Sequence, residues 1–240
     1  MERRLGDDGE VTGRYIRAMS DAHDTGAQGS APVRLFPSDL FEFFTHVHPA
    51  LVPLVWVPLA AVFFVRGIQL AGAWGHPYAA VPGFAGGIIL WTAAEYLLHR
   101  FIFHFTPRTA LQKRIAFLIH GVHHAQPRVK TRLVMPLMMS IPLAIFFYAL
   151  FTLVISYMMG APWLTAFVFS GYVIGYVCYD LIHYMLHHVQ FKGGIGKFLR
   201  THHMRHHTAW DTRFGVSTPL WDHVFGTEPA KKAPGDSPRT

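Results

Sequence analysis

From Leu133 to Tyr179 the chain runs 47 residues without an Asp, Glu, Lys or Arg. That run limits the solvent this chain can fold in more than any other feature. A helix needs about 20 apolar residues to cross the hydrocarbon core of a bilayer, so the run suffices for two crossings. Inside it, MGAPW at 159–163 carries Gly160 and Pro162, the residues expected of a turn between two helices. Between Ala50 and Ala94 the only charge is Arg66, so this stretch reads as a second pair of spans, turning near GAWGHP. Buried helices of soluble proteins can be apolar but seldom stay uncharged for so long. With 51% hydrophobic and only 15% charged residues, the chain is expected to be an all-α integral membrane protein with four transmembrane helices in two hairpins.

Charge placement gives the orientation. Seven Lys or Arg and no Asp or Glu lie from Arg100 to Arg132, eight more basic residues follow His183, and the two hairpin turns carry almost none. The positive-inside rule puts both basic segments in the cytoplasm. An even number of helices precedes each, so the N-terminus and C-terminus are expected on the same side. The net charge of +7 does not call for nucleic acid, because the bases sit beside the spans, where anionic lipid headgroups account for them. A single cysteine, Cys178, excludes a disulfide framework. No cleavable signal pattern is seen. Residues 1–40 read as a polar, disordered cytoplasmic arm, 41–226 as the membrane domain and 227–240 as a disordered tail.

The chain holds 17 histidines, and four tight groups contain most of them: HRFIFH at 99–104, HGVHH at 120–124, HYMLHH at 183–188 and THHMRHH at 201–207. Neutral imidazole ligates iron, zinc, copper and nickel, and a helix places residues three and four apart on one face. His183 and His187 form such a pair on the cytoplasmic extension of the fourth span. His120 and His124 form another, with His123 rotated by about 100° toward a neighbouring ion. His203, His207 and His206 repeat that arrangement. His99 and His104 are five apart, which would suit a helix that ends or is distorted between them. These ten match two ions in octahedral coordination, with about two of twelve positions left over. Glu95 and Asp180, one turn before His99 and His183, are placed to orient imidazole N–H groups, although each could equally be a capping or ion-pairing acid. His23, His46, His48, His76 and His223 stand alone and read as ordinary surface or core residues, while His188 and His202 flank the ligand groups.

On EYLLHRFIFH, on HGVHH followed by RLVMP at 132–136, on DLIHYMLHH, and on HHMRHH followed by FGVSTPLWDHVFGT at 214–227, the sequence resembles the membrane fatty acid hydroxylase and sterol desaturase superfamily. Within it, RLVMP and FGVSTPLWDHVFGT resemble the fatty acid 2-hydroxylases. The resemblance spans roughly residues 90–226. It implies a cytoplasmic helical cap in which the ten histidines hold a dinuclear centre of two iron ions, a site that zinc can also occupy. It also implies oxygen-dependent hydroxylation at C2 of a long fatty acyl chain, in a fatty acid or a sphingolipid. Eukaryotic relatives often carry an N-terminal haem domain with an His-Pro-Gly-Gly signature, which residues 1–45 lack. A separate electron donor of cytochrome or ferredoxin type is therefore expected, together with dioxygen and a lipid acyl substrate drawn from the bilayer.

The expected membrane is the inner membrane in a bacterium and the endoplasmic reticulum in a eukaryote. A desaturase, or a sterol or carotenoid hydroxylase, would share the histidine motifs. The non-enzymatic alternative is a membrane metal transporter or haem carrier. Transporters place ligands near the bilayer midplane, whereas these histidines lie outside the apolar runs.

Overall fold

The computed structural model describes residues 32–229. Most of the expected arm, and the tail beyond 229, lie outside the described residues, as does His23. Every regular element among the described residues is helical. A short α1 (Asp39–Phe43) leads into α2 (Leu51–Ala73) and α3 (Ala80–Leu97), which form the first hairpin. The cap begins with α4 (Ala110–Ala116) and α5 (Val122–Ala125); α6 (Leu137–Phe151) and α7 (Pro162–His188) form the second hairpin. Then α8 (Gly194–Thr208) and α9 (Leu220–Val224) complete the cap. Four stretches are long and apolar enough to cross a membrane: Leu51–Ala73, Pro77–Phe103, Lys130–Met158 and Pro162–His188. They are the two hairpins read from the uncharged runs. At the turns, the His76 ring stacks on Trp163 with centroids 4.5 Å apart, so both hairpins reverse side by side, far along the helices from the histidine motifs.

The fourth span is the axis of the bundle, 78% buried against 17–33% for the other three. Its small residues admit close neighbours. A Cβ on Gly171 would lie 2.0 Å from the Phe84 carbonyl oxygen, and one on Gly87 would lie 2.1 Å from the Val168 carbonyl oxygen. The backbones of α3 and α7 therefore touch, as small residues allow within bilayers. Toward the cap, Trp91 packs edge-on against Tyr172 and Tyr176, and Trp56 against Tyr176. Gly171→Val is expected to force α3 and α7 apart. That should lower stability in detergent by about 1–3 kcal/mol, the range for overpacking a tight contact, whereas Gly72→Ala, with nothing within 4 Å, should be silent. Thermal unfolding of the two variants checks this.

Hydrogen bonds reach beyond residue 40 at one end and 226 at the other. Residues 32–40 were expected to belong to a loose arm, yet Val33 N–H donates to Gln126 Oε1 at 3.0 Å, and the Leu35 and Phe36 amides donate to Glu42. At the other end Thr227 is tied in, its amide to the Asp222 carbonyl and its hydroxyl to the Asp222 carboxylate. These contacts join residues far apart in sequence or rest on single side chains, so composition carried no sign of them.

Candidate metal centre

The helix after α3 widens over Leu98–Phe103 into π turns, with the His104 amide bonded to the His99 carbonyl at 3.1 Å. One extra residue per turn brings two histidines five apart onto one face, the distortion their spacing requires. A second wide turn, Phe117–Gly121, precedes α5 and carries His120. The histidines then gather into two groups of five. His99, His104, His120, His124 and His206 form one; His123, His183, His187, His203 and His207 form the other. In each, the donor atoms all lie within 4.8 Å of one another. The division follows helical phase: His120 and His124 face one group while His123 faces the other, and His203 and His207 face one while His206 faces the other.

The spacing inside each group suits an ion. In the first, Nε2 atoms are 3.1 Å apart for His99 and His120, 3.2 Å for His99 and His104, and 3.0 Å for His104 and His206. In the second, His187 to His203 is 2.8 Å and His183 to His123 is 3.0 Å. Metal–nitrogen bonds of about 2.1 Å at right angles put neighbouring nitrogens about 3.0 Å apart, against about 3.4 Å in a tetrahedron. Nor are these contacts hydrogen bonds throughout. His99 Nδ1–H donates to the Phe214 carbonyl at 2.5 Å and His206 Nδ1–H to the Thr212 carbonyl at 2.7 Å, which leaves both Nε2 atoms bare. His104 Nε2 meets both of them, at 3.2 and 3.0 Å, and carries at most one proton, so at least one of these contacts sets lone pair against lone pair unless a cation lies between them. Five donors per group fall one short of octahedral coordination.

Protonation agrees with ligand duty, which requires neutral imidazole. Burial, reinforced by the neighbouring His206, pushes His104 down to about 3, and burial with crowding by His187 takes His207 to about 2. Burial brings His206 to about 4 against the opposing pull of the Thr212 carbonyl. His120, His123, His124 and His203 are driven well below the usual histidine range by burial first and adjacent rings second.

The two acids expected to steer imidazoles have other partners. Glu95 accepts from the amides of Val216 at 2.6 Å and Ser217 at 2.9 Å, and from the Ser217 hydroxyl. Asp180 accepts from the Met135 amide at 3.1 Å and the Tyr176 hydroxyl at 3.1 Å. Both hold backbone rather than rings. For Glu95 the effect still reaches the metal site, because the loop it pins presents the Phe214 and Thr212 carbonyls to His99 and His206. Arg213, between those two residues, takes a left-handed conformation with φ of 59°, a strained state that persists only where its surroundings enforce it. Spacing alone could not separate one turn before a histidine from contact with it.

Sequence reasoning missed Asp222. Fully buried, it accepts from the Phe214 and Gly215 amides at 2.8 Å, from the Thr227 hydroxyl at 2.7 Å and from His202 at 3.1 Å. Burial alone would raise its carboxyl, but His202, Thr227 and the two amides outweigh that and hold it below the usual range. The signal was a lone acid inside PLWDHVFGT. His202 is thus a buried partner of Asp222, and His188 packs on Tyr184 with centroids 4.6 Å apart. The lone histidines stay outside both groups: His46 bonds Thr131, the Ala50 amide donates to His48, and His223 bonds the Pro219 carbonyl. In the second group His123, His183 and His203 have buried Nδ1 atoms with no partner, so no carbonyl orients those rings.

Against the groups lies a cavity of ≈ 190 Å³. Histidines of both groups border it, His120 on one side and His123 and His183 on the other, and most of its remaining wall is Leu, Phe, Val and Met.

Four membrane-crossing helices capped by paired histidine groups beside an apolar cavity make up a membrane protein with two candidate metal sites. A model of the fatty acid hydroxylase family matches residues 84–227, and the chain belongs to that family. It is 36% identical over 202 residues to the dihydroceramide fatty acyl 2-hydroxylase FAH1 of Arabidopsis thaliana, covering 84% of this chain and 82% of the relative. It is 34% identical to the fatty acid 2-hydroxylase of Rattus norvegicus, covering 82% of this chain and 56% of that longer protein. A solved structure of full-length scs7p, with only its hydroxylase domain visible, is 34% identical, with a TM-score of 0.75 and 86% of this chain and 75% of that chain covered. The chain is accordingly a monooxygenase-type enzyme.

Proposed function

We propose that this chain hydroxylates C2 of a long-chain fatty acyl group, in a sphingolipid-type lipid or a fatty acid, at two iron ions held by the ten histidines. The observation that carries the reading is the apolar cavity bordered by His120, His123 and His183, which brings an acyl chain against both groups at once. The names of the relatives support the position on the chain. When bound, a ferrous pair supplies the reduction of dioxygen and an oxidant able to break an unactivated C–H bond.

The protein's own residues do the rest. Ten neutral imidazoles hold the metals, and the carbonyls of Thr212 and Phe214 fix two of the rings. The Leu, Phe and Met wall excludes water and holds one carbon of the chain in reach. One oxygen atom enters the C–H bond and the other leaves as water, with two electrons and two protons from outside. C2 adjoins the polar head, so a centre at the membrane surface reaches it without drawing the whole chain from the bilayer.

The electron donor is a separate protein of cytochrome or ferredoxin type. The histidine end faces the cytoplasm, in the inner membrane of a bacterium or the endoplasmic reticulum of a eukaryote. Arg100, Arg108, Lys113, Arg114, Arg128, Lys130 and Arg132 lie between the two hairpins in sequence, alongside the histidine motifs, in keeping with the positive-inside rule.

Cells expressing the chain under labelled dioxygen should make a 2-hydroxy acyl lipid with the label at C2, located by fragmentation mass spectrometry. Label drawn from water excludes this chemistry. An olefin, or a modified sterol, would move the chain to another activity of the superfamily.

A further inference from the structure

The outer wall of the cavity comes from a part of the chain that the family model, matching 84–227, does not reach. Leu35, Phe36, Phe41, Phe44 and Thr45 line it across from the segment Leu133–Met139. Phe41 and Phe44 are both lining and exposed, as is Met138 at the start of α6. The mouth of the cavity therefore lies between α1 and α6. On its other side α1 carries Leu40 at 64% and Phe43 at 71% exposure. A five-residue helix with apolar side chains both toward a cavity and away from it stands between that cavity and lipid.

This strap is fastened along one line. Arg132, its side chain 2% exposed, bonds the Val33 carbonyl and the Glu42 carboxylate, and donates to His46 Nε2 at 3.0 Å. Glu42 also accepts the Leu35 amide at 2.8 Å and the Phe36 amide at 2.9 Å, so one carboxylate sets the path of the strap before α1. The Val47 amide bonds the Thr131 carbonyl at 2.7 Å and closes the far end. Every one of these anchors lies in 126–132, in the strap itself or in the two residues that follow it. The path of the strap is thus set by a polar latch, with Val47 joining the core at its far end.

We propose that residues 33–45 are the substrate-selecting wall of the enzyme: Phe36, Phe41 and Phe44 decide which acyl chain is accepted, and the Arg132–Glu42 latch sets where they stand. The proposal rests on the acyl-hydroxylase reading above. Arg132 and Glu42 are positioning residues, acting through the strap and not on the substrate.

Membranes containing the wild-type chain or Phe36→Ala, Phe41→Ala or Phe44→Ala would be given a shorter and a very-long-chain acyl substrate in competition. A pocket wall discriminates a single methylene by about tenfold or more, so at least one variant should change the ratio of kcat/KM for the two substrates by about tenfold while still hydroxylating C2. Glu42→Gln should alter the same ratio, and Arg132→Lys should keep it nearer to wild type than Arg132→Ala does. Unchanged ratios in active variants overturn the proposal.

A second measurement needs neither turnover nor a folded variant. A fatty acyl probe with a photoreactive group, irradiated in wild-type membranes, should label residues within 33–45. Labelling confined to other segments also overturns it. Labelling of the strap by a wild-type chain that makes no 2-hydroxy product would retain the wall and remove the C2 reading.

Discussion

His124→Ala, His187→Ala and His207→Ala should each lower turnover at least about a hundredfold, since even residues that only orient a metal ligand are worth 10–100-fold. Fully loaded wild-type protein should contain two metal ions per chain, one for each group of five donors. His124→Ala removes a donor from one group and His187→Ala from the other, so each should lose metal from its own group first. Stripping the protein with a chelator should abolish activity, and restoring ferrous iron should return it. His76→Ala is the matched control, because that ring stacks on Trp163 at the opposite end of the bundle. Metal analysis alongside the activity assay checks all of this. Equal activity in both sets, or a single ion in fully active protein, would show the ligands to be wrongly assigned.

Asp222→Ala should cost on the order of 3–5 kcal/mol, the usual penalty for removing one partner of a buried charged network. Four donors converge on that carboxylate, and alanine leaves the Phe214 and Gly215 amides and His202 without it. The loop carrying the Phe214 carbonyl then loosens, and His99 loses its fixed orientation. Lower thermal stability in detergent should accompany weaker metal binding, with Asp222→Asn intermediate. The pH trend has a definite sign. The folded carboxyl lies below its unfolded value, so its stabilisation is present above the unfolded value and fades as pH falls through the folded one. An unchanged melting temperature and metal content in Asp222→Ala would refute this role.

The spans were legible because uncharged runs and turn residues are local signals. The sorting of histidines was legible for a related reason, since i, i+3 and i, i+4 positions on one helix carry their angular phase in the sequence. At His99 and His104 the spacing, which no regular α-helix satisfies on one face, called for a helix that ends or is distorted, and the structure has the distortion. Contacts across the chain left no such trace. Val216 meets Glu95 over 121 residues and Arg132 meets Glu42 over 90, and neither distance has a period. A one-turn offset from a histidine therefore suggested direct steering by Glu95 and Asp180, where the structure has them gripping backbone. The strap was illegible for the same reason: polar composition at 32–40 resembles a loose end until its amides find Glu42.

Three of the histidines on α8 and three on the turn leading through α5 are shared out between the two groups, while the wide turn after α3 serves only the first and α7 only the second. Neighbouring rings on one helical turn thus face different groups. The separation between the two groups is in that sense a dimension of the peptide chain, a ruler graduated in helical residues. Carboxylate di-iron bundles instead hold their ions with Glu side chains and Glu-x-x-His pairs. Here the gauge is covalent, so an insertion of one residue between His203 and His206 would reset the distance, and no side-chain substitution could restore it.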